Sequence, residues 1–542
     1  MIRGESDNGV QVCERVRAVA REYDDNAWPL HLRVILTLSV LLLIGALIGA
    51  VLATPMWSYN GTRLLPSFQL AYGHRVLELH GHGPLYSTQY GPLTYLAYLP
   101  ATLFKTPNAA VLAGSTMTVV WCLISIGWLH FGGGRWRNDF WTALLGFAAA
   151  CYLVCYLEPL RYSCVNIHAD GPGIALGGAA CAVLQWETRH RWMALISSAA
   201  FAVMAALCKQ PLAFLAIGLL AYLWLADGRK VAILYLKALL GAGVILTSLC
   251  VWAFGPNELY YNLISLTVRQ SWGMSGAAAI VQPLRIFIRH TFPVLLVAAV
   301  ALVAAATQTE WKLQGLRQLS ANKKASTWMI AFVVGLALLP SSIAGIAKIG
   351  GDVNSLSFSA FFFTVGVTCM LADFGSSQMR RQPRQVARGC LLALTLLLTI
   401  VELPVALPAK FRSLKNAEQQ VVFNYIKGDR HTTFFPWFPL SHLLAEGRFY
   451  HSSYGVVDHV LAGEMVSPEY FQAYAPTHMN SIAFGKDGAR QILGVDLLSF
   501  WGPAYRCAIH VPALASWQVY GSSRTSCNVL AAATTGRSSA TD

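Results

Sequence analysis

Hydrophobic residues in this chain fall in long unbroken blocks, not in alternating or helical stripes. Residues 34–53 read VILTLSVLLLIGALIGAVLA, without a charge. Further blocks lie at 109–130, 139–157, 171–186, 193–207, 211–226, 231–254, 291–306, 328–347, 356–372 and 390–403. A helix needs about 20 residues to cross the hydrocarbon core, within a range of about 17–25. The blocks predict an α-helical polytopic membrane protein with about eleven transmembrane helices. Several blocks are short and must borrow flanking residues, so the number is good to about one or two. The stretch GPLTYLAYLPATLF (91–104) is apolar but shorter still, and reads as a juxtamembrane or dipping helix.

Composition agrees with the pattern. Of 542 residues, 55% are hydrophobic and 12% charged, about half the charge of a soluble domain. The net charge of +14 does not point to nucleic acid, because the basic residues sit in short loops between blocks. Arg135 and Arg137, Arg189 to Arg191, Arg229 and Lys230, Lys312 to Lys324, and Arg380 to Arg388 all fall in alternate loops. By the positive-inside rule these loops are cytoplasmic. The first block follows more than thirty polar residues, including Arg15, Arg17, Arg21 and Arg33. It therefore reads as a retained helix after a cytoplasmic segment 1–33, not as a cleaved leader. An odd number of crossings then places 405–532 outside, after a membrane domain spanning 34–404. Short runs such as VVFNYI, and the turns at Pro436 and Pro439, predict a small α/β domain there, with a disordered tail over 533–542.

The twelve cysteines lie mostly inside blocks, as at Cys122, Cys151, Cys155, Cys181 and Cys250, and read as small apolar packing residues. Cys507 and Cys527 stand in the outer domain, where an oxidising compartment allows a disulfide. No CxxC or Cys/His metal pattern occurs. The residues fix no cofactor; a divalent metal stays open as an alternative but has no support in them.

The polar chemistry gathers in the intervening loops. The first of these, 54–108, holds a helical-looking stretch at 64–79, with Glu78, and the aromatic turn YSTQYGPLTY at 86–95, with Tyr90. An interfacial aromatic belt accounts for its tyrosines and tryptophan but not for its length. The second reads EPLRYSCVNIHADGPG, bringing Glu158, Arg161, His168 and Asp170 within thirteen residues. An acid at the start of a helix suits the helix dipole; an acid at a membrane edge equally marks a functional group. Lys209 lies between two blocks, where it either snorkels or meets a phosphate. Arg269, Arg285 and Arg289 in the long loop 255–290 either hold an anionic lipid or are solvated. Lys348, Asp352 and Asn354 surround a Gly-Gly turn, which is either a plain turn or a binding loop.

In order and in side, these motifs resemble the GT-C superfamily of polyprenyl-phosphate-sugar-dependent glycosyltransferases, including the protein mannosyltransferase and aminoarabinose-transferase branch. YSTQYGPLTY resembles the stretch that closes the first outer loop of that family. Arg161 with His168-Ala169-Asp170-Gly171-Pro172 resembles the second-loop pattern. Cys208-Lys209-Gln210-Pro211 resembles the K-(G/Q)-P turn, and Lys348-Ile349-Gly350-Gly351-Asp352-Val353-Asn354 a late outer-loop pattern. One position departs. Where the family carries an Asp after its first helix, this chain reads Tyr59-Asn60-Gly61-Thr62-Arg63, and an amide cannot serve as a general base.

The resemblance implies an integral membrane enzyme of the cell envelope. Its donor would be a polyprenyl-phosphate-linked sugar and its acceptor a glycan, lipid or protein. It implies Asp170 or Glu78 as base, and Lys209, Arg161 and Arg269 against the phosphate. His168, Tyr90, Lys348, Asp352 and Asn354 would complete the substrate site. Two other classes stay open: a transporter or lipid flippase, and a GT-C-fold binding protein that has lost catalysis. The charges lie at helix ends and no internal repeat is evident, which weighs against a transporter.

Overall fold

The computed structural model describes residues 28–521, apart from 80, 87–88, 133–138, 186–190, 307–325, 377–380, 429–432, 478, 486–489, 506, 510–513 and 515–516. Arg135, Arg137, Arg189, His190, Lys312, Arg317, Lys323, Lys324, Arg380, Cys527 with its pairing to Cys507, the first 27 residues and the tail 533–542 lie outside the described residues.

Every predicted block is helical. The helices are α1 (Leu30–Ala53), α3 (Pro107–Phe131), α4 (Phe140–Tyr156), α6 (Asp170–Gln185), α7 (Arg191–Cys208), α8 (Phe214–Ala226), α9 (Arg229–Phe254), α10 (Ala278–Ala306), α11 (Ser326–Ala347), α12 (Ser357–Phe374) and α13 (Arg381–Val401). Between them, α2 (Ser58–Ala71) and α5 (Glu158–Val165) are short polar helices. Among the described residues, eight helices are long and apolar enough to cross a bilayer. The number is nine when α4 and α5, which meet at 94°, count as one bent span. This is fewer than eleven because α6 has 16 residues and α8 has 13. At 1.5 Å per residue α6 is about 24 Å long, short of a hydrocarbon core about 30 Å thick.

The short helix α6 is the centre of the bundle. Nearly all of its residues are buried, and it packs against α3 and α7. Its glycines allow this. A Cβ on Gly178 would come within 1.7 Å of Ser125 Oγ, and one on Gly171 within 2.4 Å of Thr118. At the other extreme, α9 turns Leu234, Leu240, Val244, Ile245 and Trp252 outward. A helix so exposed and so apolar has hydrocarbon as its solvent.

The stretch 91–104 does not cross. It forms a short helix (Pro92–Ala97) and a 3₁₀ turn (Leu99–Leu103), with Tyr95 and Tyr98 buried. The helix expected at 64–79 runs instead as α2 from Ser58 to Ala71.

Beyond α13 the chain builds a small mixed sheet. Four strands, β1 (Thr433–Phe434), β2 (Ser481–Phe484), β5 (Cys507–Ile509) and β6 (Gln518–Gly521), lie in the order β1-β2-β6-β5. β1 and β2 are parallel, and the other pairs antiparallel. Strands β3 (Gln491–Ile492) and β4 (Val495–Asp496) form a separate hairpin. The alternating run VVFNYI is not a strand. It lies in helix α14 (Glu418–Gly428) and buries Val422, Phe423 and Ile426 on one face. Helices α15 (Pro439–Glu446) and α16 (Ser453–Leu461) complete the unit. Its aromatic core includes Phe434, Phe435, Trp437 and Phe484.

This domain is tied to the first loop. Leu85 N donates to His451 Nδ1 at 2.8 Å, and Ser452 N donates to Leu85 O at 3.0 Å. Gln419 Nε2 donates to Pro55 O at 3.1 Å. The loop is thus held from both sides, by the bundle and by the sheet domain.

Candidate functional site

The α5–α6 connection carries the polar centre. Helix α4 ends at Tyr156 and Pro159 starts α5 at a steep angle, so residues 166–169 turn inward instead of running on. Asn60 holds that turn. Its Oδ1 accepts from Ile167 N at 2.9 Å, and its Nδ2 donates to Thr54 O at 2.9 Å and to Asn166 Oδ1 at 3.0 Å. The residue is fully buried. Its amide is used as both donor and acceptor, which a carboxylate cannot do.

Asp170 begins α6 with no exposure to solvent. Its Oδ1 receives Lys209 Nζ at 2.6 Å. Its Oδ2 receives Ser163 Oγ at 2.9 Å and Asn354 Nδ2 at 3.0 Å, and lies 2.7 Å from His168 Nδ1. A contact of 2.7 Å between two potential acceptors requires the proton on Nδ1. Nε2 is then an acceptor, and Tyr90 Oη lies 3.1 Å from it. The backbone N–H of Asp170, 3.2 Å from Nδ1, is the weaker contact of that nitrogen. Burial lowers the pKa of His168 to about 3, with Arg63 and Lys209 adding to the effect against Asp170. The imidazole is therefore neutral at pH 7. Burial also lowers the Lys209 pKa, opposed by Asp170. Lys209 stays partly reachable, with 12% of its side chain exposed.

The first loop reaches this cluster by backbone pairing. Gly91 N and Thr94 Oγ1 both donate to Cys208 O, at 2.9 and 3.0 Å. A Cβ on Gly91 would lie 1.7 Å from Leu207 O, so only glycine fits. Gln210 Nε2 donates to Gln89 O and Leu263 O, at 2.8 and 2.9 Å. Tyr90 is thereby set beside Lys209, whose Nζ lies 5.3 Å from its ring centre.

Of the residues expected from sequence, the structure brings together His168, Asp170, Lys209, Tyr90 and Asn354. The others stand apart. Arg161 is exposed and lines a separate cavity with Trp57 and Tyr162. Arg269 meets Glu464 at 3.1 Å. Lys348 donates to Thr267 O and lies over the Trp272 ring. Asp352 accepts from Val353 N at 2.7 Å. Glu78 lines a cavity of about 10 Å3 with Gln69, Tyr470 and Asn262, room for about one water molecule. Its Oε2 and the Gln69 Oε1 are buried without a hydrogen-bond partner among the described residues. Burial raises the Glu78 pKa, opposed by Arg75 and His82. Among the described residues no group of three His, Cys, Asp or Glu is placed to hold a metal.

Two features escaped the sequence reading. Ser163 is one residue among many polar ones and carried no signal. Arg63 lies in the very stretch that holds Asn60. Its guanidinium sits over Tyr59, Trp57 and Tyr162, at 4.5, 5.2 and 5.4 Å from the ring centres. The aromatic spacing around it was the signal available.

No family model matches the sequence, and no curated protein matches it either. Solved structures do. The crystal structure of ArnT from Cupriavidus metallidurans bound to undecaprenyl phosphate aligns with a TM-score of 0.54 at 12% identity. The alignment covers 89% of this chain and 97% of that one. The apo form of the same protein aligns at 0.53 and 11% identity, with the same coverage. This chain is therefore a polytopic membrane protein with the fold of ArnT, the GT-C-type layout that its loop motifs resemble.

Proposed function

We propose that this protein transfers a sugar from a polyprenyl-phosphate-linked donor to an acceptor on the non-cytoplasmic face of the membrane. The observation that carries the reading is the alignment, over 89% of the chain, with an ArnT structure holding undecaprenyl phosphate. The buried His168–Asp170–Lys209 cluster at the helix ends supports it, as does the concentration of basic residues in the alternate loops. On this orientation the N-terminus is cytoplasmic and 405–532 form an outer domain.

In such a transfer the acceptor nucleophile attacks the anomeric carbon, its proton passes to a base, and the sugar–phosphate bond breaks to release polyprenyl phosphate. Asp170 takes four donors and no solvent, so in this scheme it anchors Lys209 and His168. Glu78 stands apart from that cluster, but its oxygen has no partner among the described residues and burial raises its pKa; it is the carboxylate left to accept the proton, from an acceptor entering on the side of its own cavity. Lys209 and Tyr90 face the departing phosphate, whose growing charge such donors stabilise.

Transfer of labelled sugar from a lipid-linked donor by the purified full chain tests this. Glu78→Gln and Asp170→Asn should each reduce it by at least a hundredfold; activity untouched by both overturns the assignment. A second reading, a lipid-binding protein without turnover, is favoured by the purely structural use of Asn60. Donor binding with no transfer to any acceptor would establish it.

A further inference from the structure

Helix α9 is the least buried of the candidate spans among the described residues, and its one internal charge is out of place. Lys237 is the only charged residue in 231–254. At 1.5 Å per residue it lies about 12 Å into the helix from Arg229. An ionisable group at such a depth is costly and is ordinarily turned inward to a partner. Lys237 is instead exposed, with no carboxylate within 4.0 Å among the described residues.

Beside it lies an apolar groove. Helices α8 and α9 enclose a cavity of about 550 Å3, lined by Ile217, Leu220, Trp224 and Leu225 from α8 and by Ile233 and Leu236 from α9. Residues four apart share a helix face. Arg229, Ile233 and Lys237 therefore form one row along α9, and Ile233 lines the groove. Arg229 and Lys230 are exposed and also unmatched among the described residues, because the nearby Asp227 is taken by Arg191. Trp224 is exposed at the same end of the helix pair, and such a ring settles at a membrane–water boundary.

A helical side chain leans toward the N-terminus of its own helix. For Lys237 that direction leads toward Arg229 and the membrane surface. Its amine can extend that way while its stem lies on apolar surface. Three cations thus gather at the mouth of a groove whose walls are apolar.

Bilayer chains are as apolar as this groove, so apolar fit alone selects no lipid. The selection falls to charge. A second copy of the chain is a poor occupant, since a symmetric interface sets the same patch against itself and would bring two Lys237 rows together without an acid. A phospholipid with a negative head group supplies both halves, an acyl chain for the groove and a phosphate for the cations.

We propose that the α8–α9 groove, with Lys237, Arg229 and Lys230, binds an anionic phospholipid of the leaflet in which α9 begins. On the orientation given by the basic loops that leaflet is the cytoplasmic one. The site lies at the far end of α8 from Lys209 and does not depend on the transferase reading.

The test uses the purified full chain in detergent. Its probes are phosphatidylglycerol and phosphatidylcholine with brominated chains, and glycerol phosphate without chains. Binding is read as the tryptophan quenching that disappears in Trp224→Phe. The wild type should reach half-quenching at roughly tenfold less phosphatidylglycerol than phosphatidylcholine. Lys237→Leu should reduce that preference about fivefold and leave phosphatidylcholine unchanged, whereas Lys237→Arg should keep it. Arg229→Gln combined with Lys230→Gln should reduce it severalfold. Ala221→Phe, which fills the groove, should weaken both lipids. Equal affinity for the two lipids in the wild type overturns the proposal without any variant. A preference that Lys237→Leu leaves intact also overturns it, as does quenching that Trp224→Phe does not change. Glycerol phosphate that competes as strongly as phosphatidylglycerol would make this a soluble-anion site. A dimer seen by light scattering that blocks quenching would give the groove to a second copy. Either result overturns the lipid assignment.

Discussion

Lys209 Nζ lies 2.6 Å from Asp170 Oδ1, and the carboxylate has no exposure to solvent. The pair joins the turn after α7 to the first residue of α6. Removing one partner of such a pair costs about 3–5 kcal/mol, because the other charge stays behind unpaired. Asp170→Asn is therefore expected to lower the thermal unfolding midpoint in detergent sharply. Combining it with Lys209→Met should restore much of the loss. A double variant as unstable as the sum of the singles would show that the pair is not the unit.

Asn60 makes a sharper case. Its Nδ2 donates to Thr54 O and Asn166 Oδ1. An aspartate there would face two acceptors with none of its own protons at neutral pH. Each buried mismatch costs about 1–3 kcal/mol. Asn60→Asp should thus destabilise the protein by at least about 2 kcal/mol, and should not raise sugar transfer. Higher transfer at unchanged stability would mean that the position has kept its role as a base.

Two buried histidines give the stability a pH dependence. The pKa of His168 is lowered to about 3 and that of His451 to about 4, each chiefly by burial. Both are neutral in the fold, whereas the unfolded chain takes up their protons below about pH 6.5. The unfolded state therefore binds more protons as the pH falls through that window. Stability is full above about 6.5 and is lost on going down toward 4 and then 3, by at most about 1.4 kcal/mol per pH unit for each group. His451→Asn keeps an acceptor for Leu85 N and should flatten the fall in unfolding midpoint between pH 7.5 and 5. A fall as steep as in the wild type would count against His451.

Hydropathy made the helices legible, since a bilayer-spanning helix must be apolar along its whole length. It overstated the spans because α6 and α8 are apolar for a different reason: they pack inside the bundle or end early. His168, Asp170 and Lys209 were legible as charges out of place at helix ends. Arg161, Arg269 and Lys348 looked the same in sequence, and only the turn directions of their loops separate them from the cluster. The run VVFNYI misled because Val422, Phe423 and Ile426 fit one helix face as well as an alternating strand. Asn60 and Arg63 were read against a motif, whereas their roles depend on contacts with Asn166 and Tyr162, about a hundred residues away.

Glu464 ties the long loop to the sheet domain. Its two oxygens take Arg269 Nη1 at 3.1 Å, Tyr261 Oη at 2.5 Å and His459 Nδ1 at 2.8 Å. Arg269 is half exposed, and a pair of that kind contributes at most about 1 kcal/mol. Arg269→Ala should therefore change little. Glu464→Ala releases all three partners, and 256–270 then lose their anchor on the far side from Gln210. Hydrogen exchange should rise across 256–270 in Glu464→Ala and stay near wild type in Arg269→Ala. Because Gln210 also donates to Leu263 O, the same release loosens the turn that presents Lys209, so donor binding should weaken alongside the exchange. Equal exchange in the two variants would mean that the salt bridge, not the three-way junction, holds the loop.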